Sequence, residues 1–186
     1  MSIATTRMTY DELLQMPDDG KRYEIIAGEL YVSPSPGWHH QRVLNRILFA
    51  IGRYLEDRGL PDTVFPAPLD VNLSDYDVVQ PDIVYIRPER VPAVRGVRAP
   101  VEGAPDLAIE VLSKSTRAHD ERRKLALYAA FGVPEYWIVD IDARLIRVLL
   151  LHGDAYREQR HPDQAPQSVV LPGLLLEPGY VFDGLD

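Results

Sequence analysis

The chain has 186 residues, 46% of them hydrophobic and 26% charged, an ordinary globular mixture long enough for one domain with one sizeable core. Its formal net charge of −8 argues against a protein that coats nucleic acid by bulk electrostatics, and the absence of cysteine excludes disulfides and thiolate metal sites. No apolar run approaches the roughly 18–20 residues of a membrane span, and the N-terminus lacks the basic-then-apolar pattern of a secretory signal. A reducing cytoplasm is therefore the expected compartment.

In chain order, Thr9-Tyr-Asp-Glu-Leu-Leu reads as a short helix, with Thr9 as N-cap and Glu12 completing a capping box. Tyr23–Ile26 and Glu29–Val32 flank Ala27-Gly28, a tight hairpin whose glycine supplies a positive φ. Ser33-Pro-Ser-Pro-Gly breaks the sheet. Leu44, Ile47, Leu48, Ile51 and Leu55 then recur at helical spacing up to Gly59-Leu-Pro, a helix of about four turns. Residues 64–73 look extended, with Pro66 and Pro68 keeping part of the segment at a sheet edge. A second extended segment covers 78–86, and 87–104 is an irregular excursion rich in proline and glycine. Leu107-Ala-Ile-Glu-Val-Leu is a near-continuous apolar run, typical of a strand buried on both faces. Ser115 or Thr116 can cap the next helix, whose stripe is Leu125, Tyr128, Ala129 and Phe131, and Gly132 closes it ahead of Pro134. Tyr136–Val139 and Leu145–Leu151 are strands across the Asp140-Ile-Asp-Ala turn, and the tail after Gly153 reads as shorter strands and turns. Two main helices and a strand–helix–strand unit at 107–139 favour an α/β layer fold over a sandwich or bundle.

Positive charge is concentrated in two places. Residues 87–98 hold four arginines against Glu89, and residues 114–124 hold five lysines and arginines against Asp120 and Glu121. Both are expected to border one anion-binding cleft. Glu110 carries the sharpest chemical signal, because a carboxylate between Ile109 and Val111 in a central strand is costly to desolvate. A bound hard cation would resolve this, and so would an arginine partner at the strand end. Asp82 opens another strand after Val79-Gln80-Pro81. Two carboxylates at neighbouring strand ends, followed by a basic helix, could hold cations that polarise a phosphate. The adjacent His39 and His40 make a poor zinc site, since their side chains diverge on a helix.

Pro81-Asp82 followed by Glu110 resembles the PD-(D/E)XK nuclease superfamily, whose lysine stands two residues after the second acid; that position is Leu112 here. Lys124, on a stripe with Asp120 and Tyr128, can substitute from the following helix, and Lys114 is the other candidate. More of the chain carries a closer match. Tyr23-Glu24-Ile-Ile-Ala-Gly-Glu-Leu, Ser33-Pro-Ser-Pro with His40-Gln41, Gln80-Pro-Asp-Ile, Glu110-Val-Leu-Ser, Arg123-Lys124-Leu-Ala-Leu-Tyr and Gly132-Val-Pro-Glu-Tyr-Trp-Ile-Val-Asp140 stand in order. This resembles the Uma-two family of restriction endonuclease-like proteins, over residues 8–182. The resemblance implies an α/β restriction-endonuclease-like core, a mixed β-sheet flanked by helices, forming one domain over residues 1–186. It also implies Mg²⁺-dependent (or Mn²⁺-dependent) cleavage of DNA. Asp82 and Glu110 would bind the metal, Lys124 would position the attacking water, Glu24 would join from the hairpin, and His40 could contact a phosphate or relay a proton. Lys124→Met is then expected to abolish cleavage with little effect on stability. A homodimer is expected, because cutting both strands of a duplex calls for two sites. The alternative reading is a non-catalytic nucleic-acid-binding or assembly protein that keeps the nuclease fold, which Leu112 and the acidic net charge favour.

Overall fold

A computed structural model describes residues 7–91, 100–112, 120–159 and 165–185. The elements are α1 Tyr10–Leu13, β1 Arg22–Ile26, β2 Glu29–Ser33, α2 Trp38–Asp57, β3 Val64–Pro66, β4 Val71–Ser74, β5 Asp77–Val79, β6 Ile83–Tyr85, β7 Val101–Glu102 and β8 Leu107–Leu112. A π-helical turn, Asp120–Lys124, then runs into α3 Leu125–Ala130, followed by β9 Glu135–Asp140, β10 Leu145–His152, β11 Ala155–Gln159 and α4 Pro178–Val181. The strands form two mixed sheets. The first has the order β2-β1-β5-β4-β7 and the second β11-β10-β9-β8-β6-β3. Among the described residues no helix is long and apolar enough to cross a membrane.

Local chemistry sets the elements that frame the site. Glu12 accepts hydrogen bonds from the backbone N–H and the hydroxyl of Thr9, at 2.8 and 3.1 Å, which fixes the start of α1. The β1–β2 hairpin turns at Ala27 and Gly28, both left-handed with φ of 54° and 81°, as a two-residue hairpin turn requires. Arg7 lies against Gly28, where a Cβ would come within 2.6 Å of the arginine's own Cβ. The long helix α2 exceeds the four turns suggested by its apolar stripe. Its polar opening, Trp38-His-His-Gln, is already helical, and His40 there is buried. Val43, Ile47 and Ile51 are fully buried on the inner face, so trimming Ile47 to alanine should cost about 2–5 kcal/mol.

The second sheet is covered on both faces, which accounts for the unbroken apolar runs of β8 and β9. Leu107, Ile109 and Val111 pack with Ile83, Trp137 and Val139 against α2. Ala108, Leu112, Val84, Tyr136 and Ile138 point the other way, toward Leu127 and Tyr128 of α3. Strands β8 and β9 are parallel neighbours joined through the π turn and α3, the strand–helix–strand unit expected from sequence.

The two extended segments at 64–73 and 78–86 each divide in two, because the chain changes sheet within them. β5 belongs to the first sheet and β6 to the second, so the chain crosses between them at Gln80-Pro81-Asp82. Proline suits that point, as it has no N–H to leave unpaired when a ladder is abandoned. The crossing sets Asp82 on the seam between the sheets.

Candidate active site

Glu110 projects from the middle of the second sheet and is 1% exposed. An ionised carboxylate there needs donors, and α3 with its π turn supplies them. Lys124 Nζ lies 2.8 Å from Glu110 Oε1, and the Tyr128 hydroxyl donates to the same oxygen at 3.0 Å. Positions 124 and 128 are one turn apart, so both side chains reach from one face. Lys124 is itself 1% exposed, and its amine is also 2.8 Å from Glu24 Oε1 on β1. Glu24 accepts the Gln80 N–H at 2.7 Å, which clamps the crossing segment to the first sheet. One ammonium thus joins a carboxylate from each sheet. Burial, and after it the negative charge of Glu110, pushes the Tyr128 phenol well above its usual value. It therefore stays a donor to Glu110.

Asp82 sits beside this group, one residue beyond the Ile83↔Ile109 pair, and its Oδ2 accepts the N–H of Val111 at 2.8 Å. The same oxygen meets His40 Nε2 from the first turns of α2 at 3.1 Å, and Oδ1 pairs with Arg22 of β1 at 2.7 Å. Burial alone would raise the Asp82 pKa; the His40 hydrogen bond, the charges of Arg22 and His40, and the Val111 N–H outweigh it and hold the carboxyl below the ordinary carboxylate range. Since an ionised Asp82 can only accept, the His40 proton facing it is on Nε2. His40 Nδ1 is buried without a hydrogen-bond partner among the described residues. For Arg22, burial opposes the charge, but Asp82, Glu110 and Glu24 together outweigh burial and raise its pKa.

Asp82, Glu110, Lys124, Glu24 and His40 therefore converge, from both sheets and two helices, into one buried cluster. Sequence reasoning missed Arg22, and placed Tyr128 on the stripe of Lys124 without a role at the site. A signal for Arg22 existed: it has the strand parity of Glu24, two residues on. Lys114, the Ser115 or Thr116 cap and the Asp120 side chain lie outside the described residues, as do Arg95 and Arg98. Gln41 is exposed.

The expectation that 87–98 borders the carboxylates is corrected for Arg87 and Arg90. Both pair with Asp106, at 3.6 and 2.8 Å, and the Arg87 N–H also donates to Asp106. Asp106 precedes β8, so these arginines sit at the opposite end of the β6–β8 ladder from Glu110. Arg123, at the start of the basic helix, stacks 4.6 Å over the ring of Tyr31, the cross-strand neighbour of Glu24. Two surface clefts, one along α2 and α4 and one beside α1 and Gln80, are lined by other residues than the five predicted ones.

The residues can be tested against the metal that the fold family implies. Among the described residues no three histidine, aspartate or glutamate side chains form a ready-made metal cage. The donor chemistry nonetheless fits a hard divalent cation, since Asp82 and Glu110 both carry carboxylates and lie next to the paired residues Ile83 and Ile109. The chain has no cysteine to favour a softer metal, and the Nε2 of His40 is already engaged with Asp82.

Two mixed sheets flanked by helices define a protein of the restriction-endonuclease-like class. The chain belongs to the Uma-two family: the family model Uma2, described as "Putative restriction endonuclease", matches residues 10–179. Among solved structures it is similar to a "putative nuclease belonging to DUF820" from Anabaena variabilis ATCC 29413, with 22% identity and a TM-score of 0.74 over 94% of this chain and 97% of that one. No curated protein matches it.

Proposed function

We propose that this protein is a divalent-metal-dependent DNA endonuclease that hydrolyses phosphodiester bonds, with Asp82 and Glu110 as metal ligands and Lys124 as the amine beside the attacking water. The observation that carries the reading is Lys124 Nζ at 2.8 Å from both Glu110 and Glu24, with every group at most 2% exposed. A lysine so deeply buried is rare unless paired, and this one supplies the cation that Leu112 cannot. Bound Mg²⁺ or Mn²⁺ would polarise a phosphate oxygen and make water a better nucleophile near neutral pH. Lys124 would then orient that water through an N–H and offset charge developing on phosphorus. Glu24 fixes the amine from the far side, Tyr128 fixes Glu110, and His40 fixes Asp82 while remaining available to relay a proton. The same reading has the chain acting as one domain in the cytoplasm, paired as a homodimer so that each copy faces one strand of a duplex.

The closure of the cluster favours a second reading, a nucleic-acid-binding or assembly protein that has kept the nuclease fold without cleavage. The two part on one experiment. Purified protein is incubated with supercoiled and linear DNA in Mg²⁺ or Mn²⁺, alongside Glu110→Gln. Nicking or linearisation that needs metal and is absent from the variant is the expected result. DNA binding with no cleavage in either metal would leave the second reading standing.

A further inference from the structure

Asp82 spends its two oxygens differently. Oδ2 belongs to the fold, taken by the Val111 N–H and by His40. Oδ1 is held by Arg22 at 2.7 Å, with no other partner among the described residues. A cation that uses Asp82 as a ligand therefore binds at Oδ1, where the Arg22 guanidinium already lies and its charge opposes a second cation. The two cationic side chains of the cluster are not equivalent in this respect. Lys124 is 1% exposed and bridges two carboxylates. Arg22 is 19% exposed and spends one of its five N–H donors on Asp82. A guanidinium does not deprotonate near neutral pH, so it can yield its place only by swinging away. Arg22 has a flexible stem and is partly exposed to solvent.

We infer that Arg22 is the exchangeable counter-cation of this site, occupying the Asp82 oxygen that a divalent metal uses and giving it up when the metal binds. The inference rests on the metal-dependent reading above and adds to it a built-in competitor. The form of the protein able to take metal is the one with Arg22 swung out, so the observed affinity is the intrinsic affinity scaled by that form's population. The ion pair also ties β1 of the first sheet to the start of β6 in the second.

The test is Mn²⁺ binding followed by calorimetry without DNA, on the wild type, Arg22→Gln and Arg123→Gln. Arg123 is a cation near the cluster that does not touch Asp82, so its variant reports the general effect of removing a nearby charge. Arg22→Gln is expected to bind Mn²⁺ at least about tenfold more tightly than the wild type, with Arg123→Gln within about twofold. Binding by Arg22→Gln alone, with none by the wild type, would support the inference equally. Unchanged or weaker binding by Arg22→Gln would overturn it and leave the endonuclease reading intact, and so would equal tightening by Arg123→Gln. Absence of Mn²⁺ binding in all three proteins would sink both. If Arg22→Gln does not fold, the wild type suffices: the Arg22 side-chain NMR signal should shift when diamagnetic Mg²⁺ is added. A signal unmoved at Mg²⁺ saturation, measured by calorimetry on the same sample, overturns the inference.

Discussion

The two ends of the β6–β8 ladder carry the same kinds of residue under different conditions. At one end Asp82 and Glu110 meet Arg22, His40, Lys124 and Tyr128, and all but Arg22 are below a tenth exposed. At the other, Asp106 meets Arg87 and Arg90, whose side chains are 50% and 42% exposed. Asp106 is buried there, but solvent screens both arginines and each gives up rotamer freedom to hold its geometry, so either one alone adds little net stability. In the first set water is excluded, so every charge depends on its partners and removing one strands the rest. Pairing an acid with a base at the surface is thus commonplace, whereas burying several such pairs between two sheets makes each member depend on all the others.

That contrast can be broken most sharply at Lys124. The sequence alone suggested that Lys124→Met would spare stability. Its burial between Glu24 and Glu110 reverses this expectation: the loss should be about 3–5 kcal/mol in urea unfolding. Adding Glu110→Gln to Lys124→Met should recover part of that loss, since one of the two stranded charges is gone. A Lys124→Met cost no greater than that of Arg90→Ala would erase the distinction between the two ends. For Arg90→Ala itself the expected loss is at most about 1 kcal/mol, falling further in high salt.

The smallest effect lies at Tyr10, intermediate between these extremes. Burial, then the charge of Asp70 and a 3.2 Å hydrogen bond to it, push the Tyr10 phenol up to about 12. A raised folded value means that the contribution is complete below the ordinary phenol value of about 10 and is lost as pH rises toward 12. The stability difference between wild type and Tyr10→Phe should therefore stay level from neutral pH to about 9 and change only above it. A difference that moves between pH 5 and 8 would point to Asp70 or another group instead.

Local physics made much of this legible in the sequence. Glu110 stood out because an acid inside an apolar strand needs an explanation, and the spacing of Lys124 and Tyr128 placed both on one helical face. Glu24 and His40 came through the family resemblance, because a carboxylate in a hairpin and a histidine at a helix start have no distinctive local pattern. Arg22 escaped because its partner Asp82 is 60 residues away, a pairing that only the docking of the two sheets creates. The division of the strands into two sheets escaped for the same reason. Pro66, Pro68 and Pro81 marked breaks, but a break does not say which sheet the chain joins next.

The crossing at Gln80-Pro81-Asp82 also bears on when the site comes into being during synthesis. Its members are spread from Arg22 to Tyr128, and the Glu24–Lys124 contact closes a loop of about 100 residues, the kind of distant pairing that slows folding. A nascent chain whose hairpin and first long helix have already formed still lacks Lys124 and the strand bearing Glu110. The cluster can assemble only after the ribosome has released residue 128 and α3 has packed onto the face of the second sheet. A partly made or truncated copy thus holds isolated acids on an open surface, and the joined cluster exists only in chains made past that point.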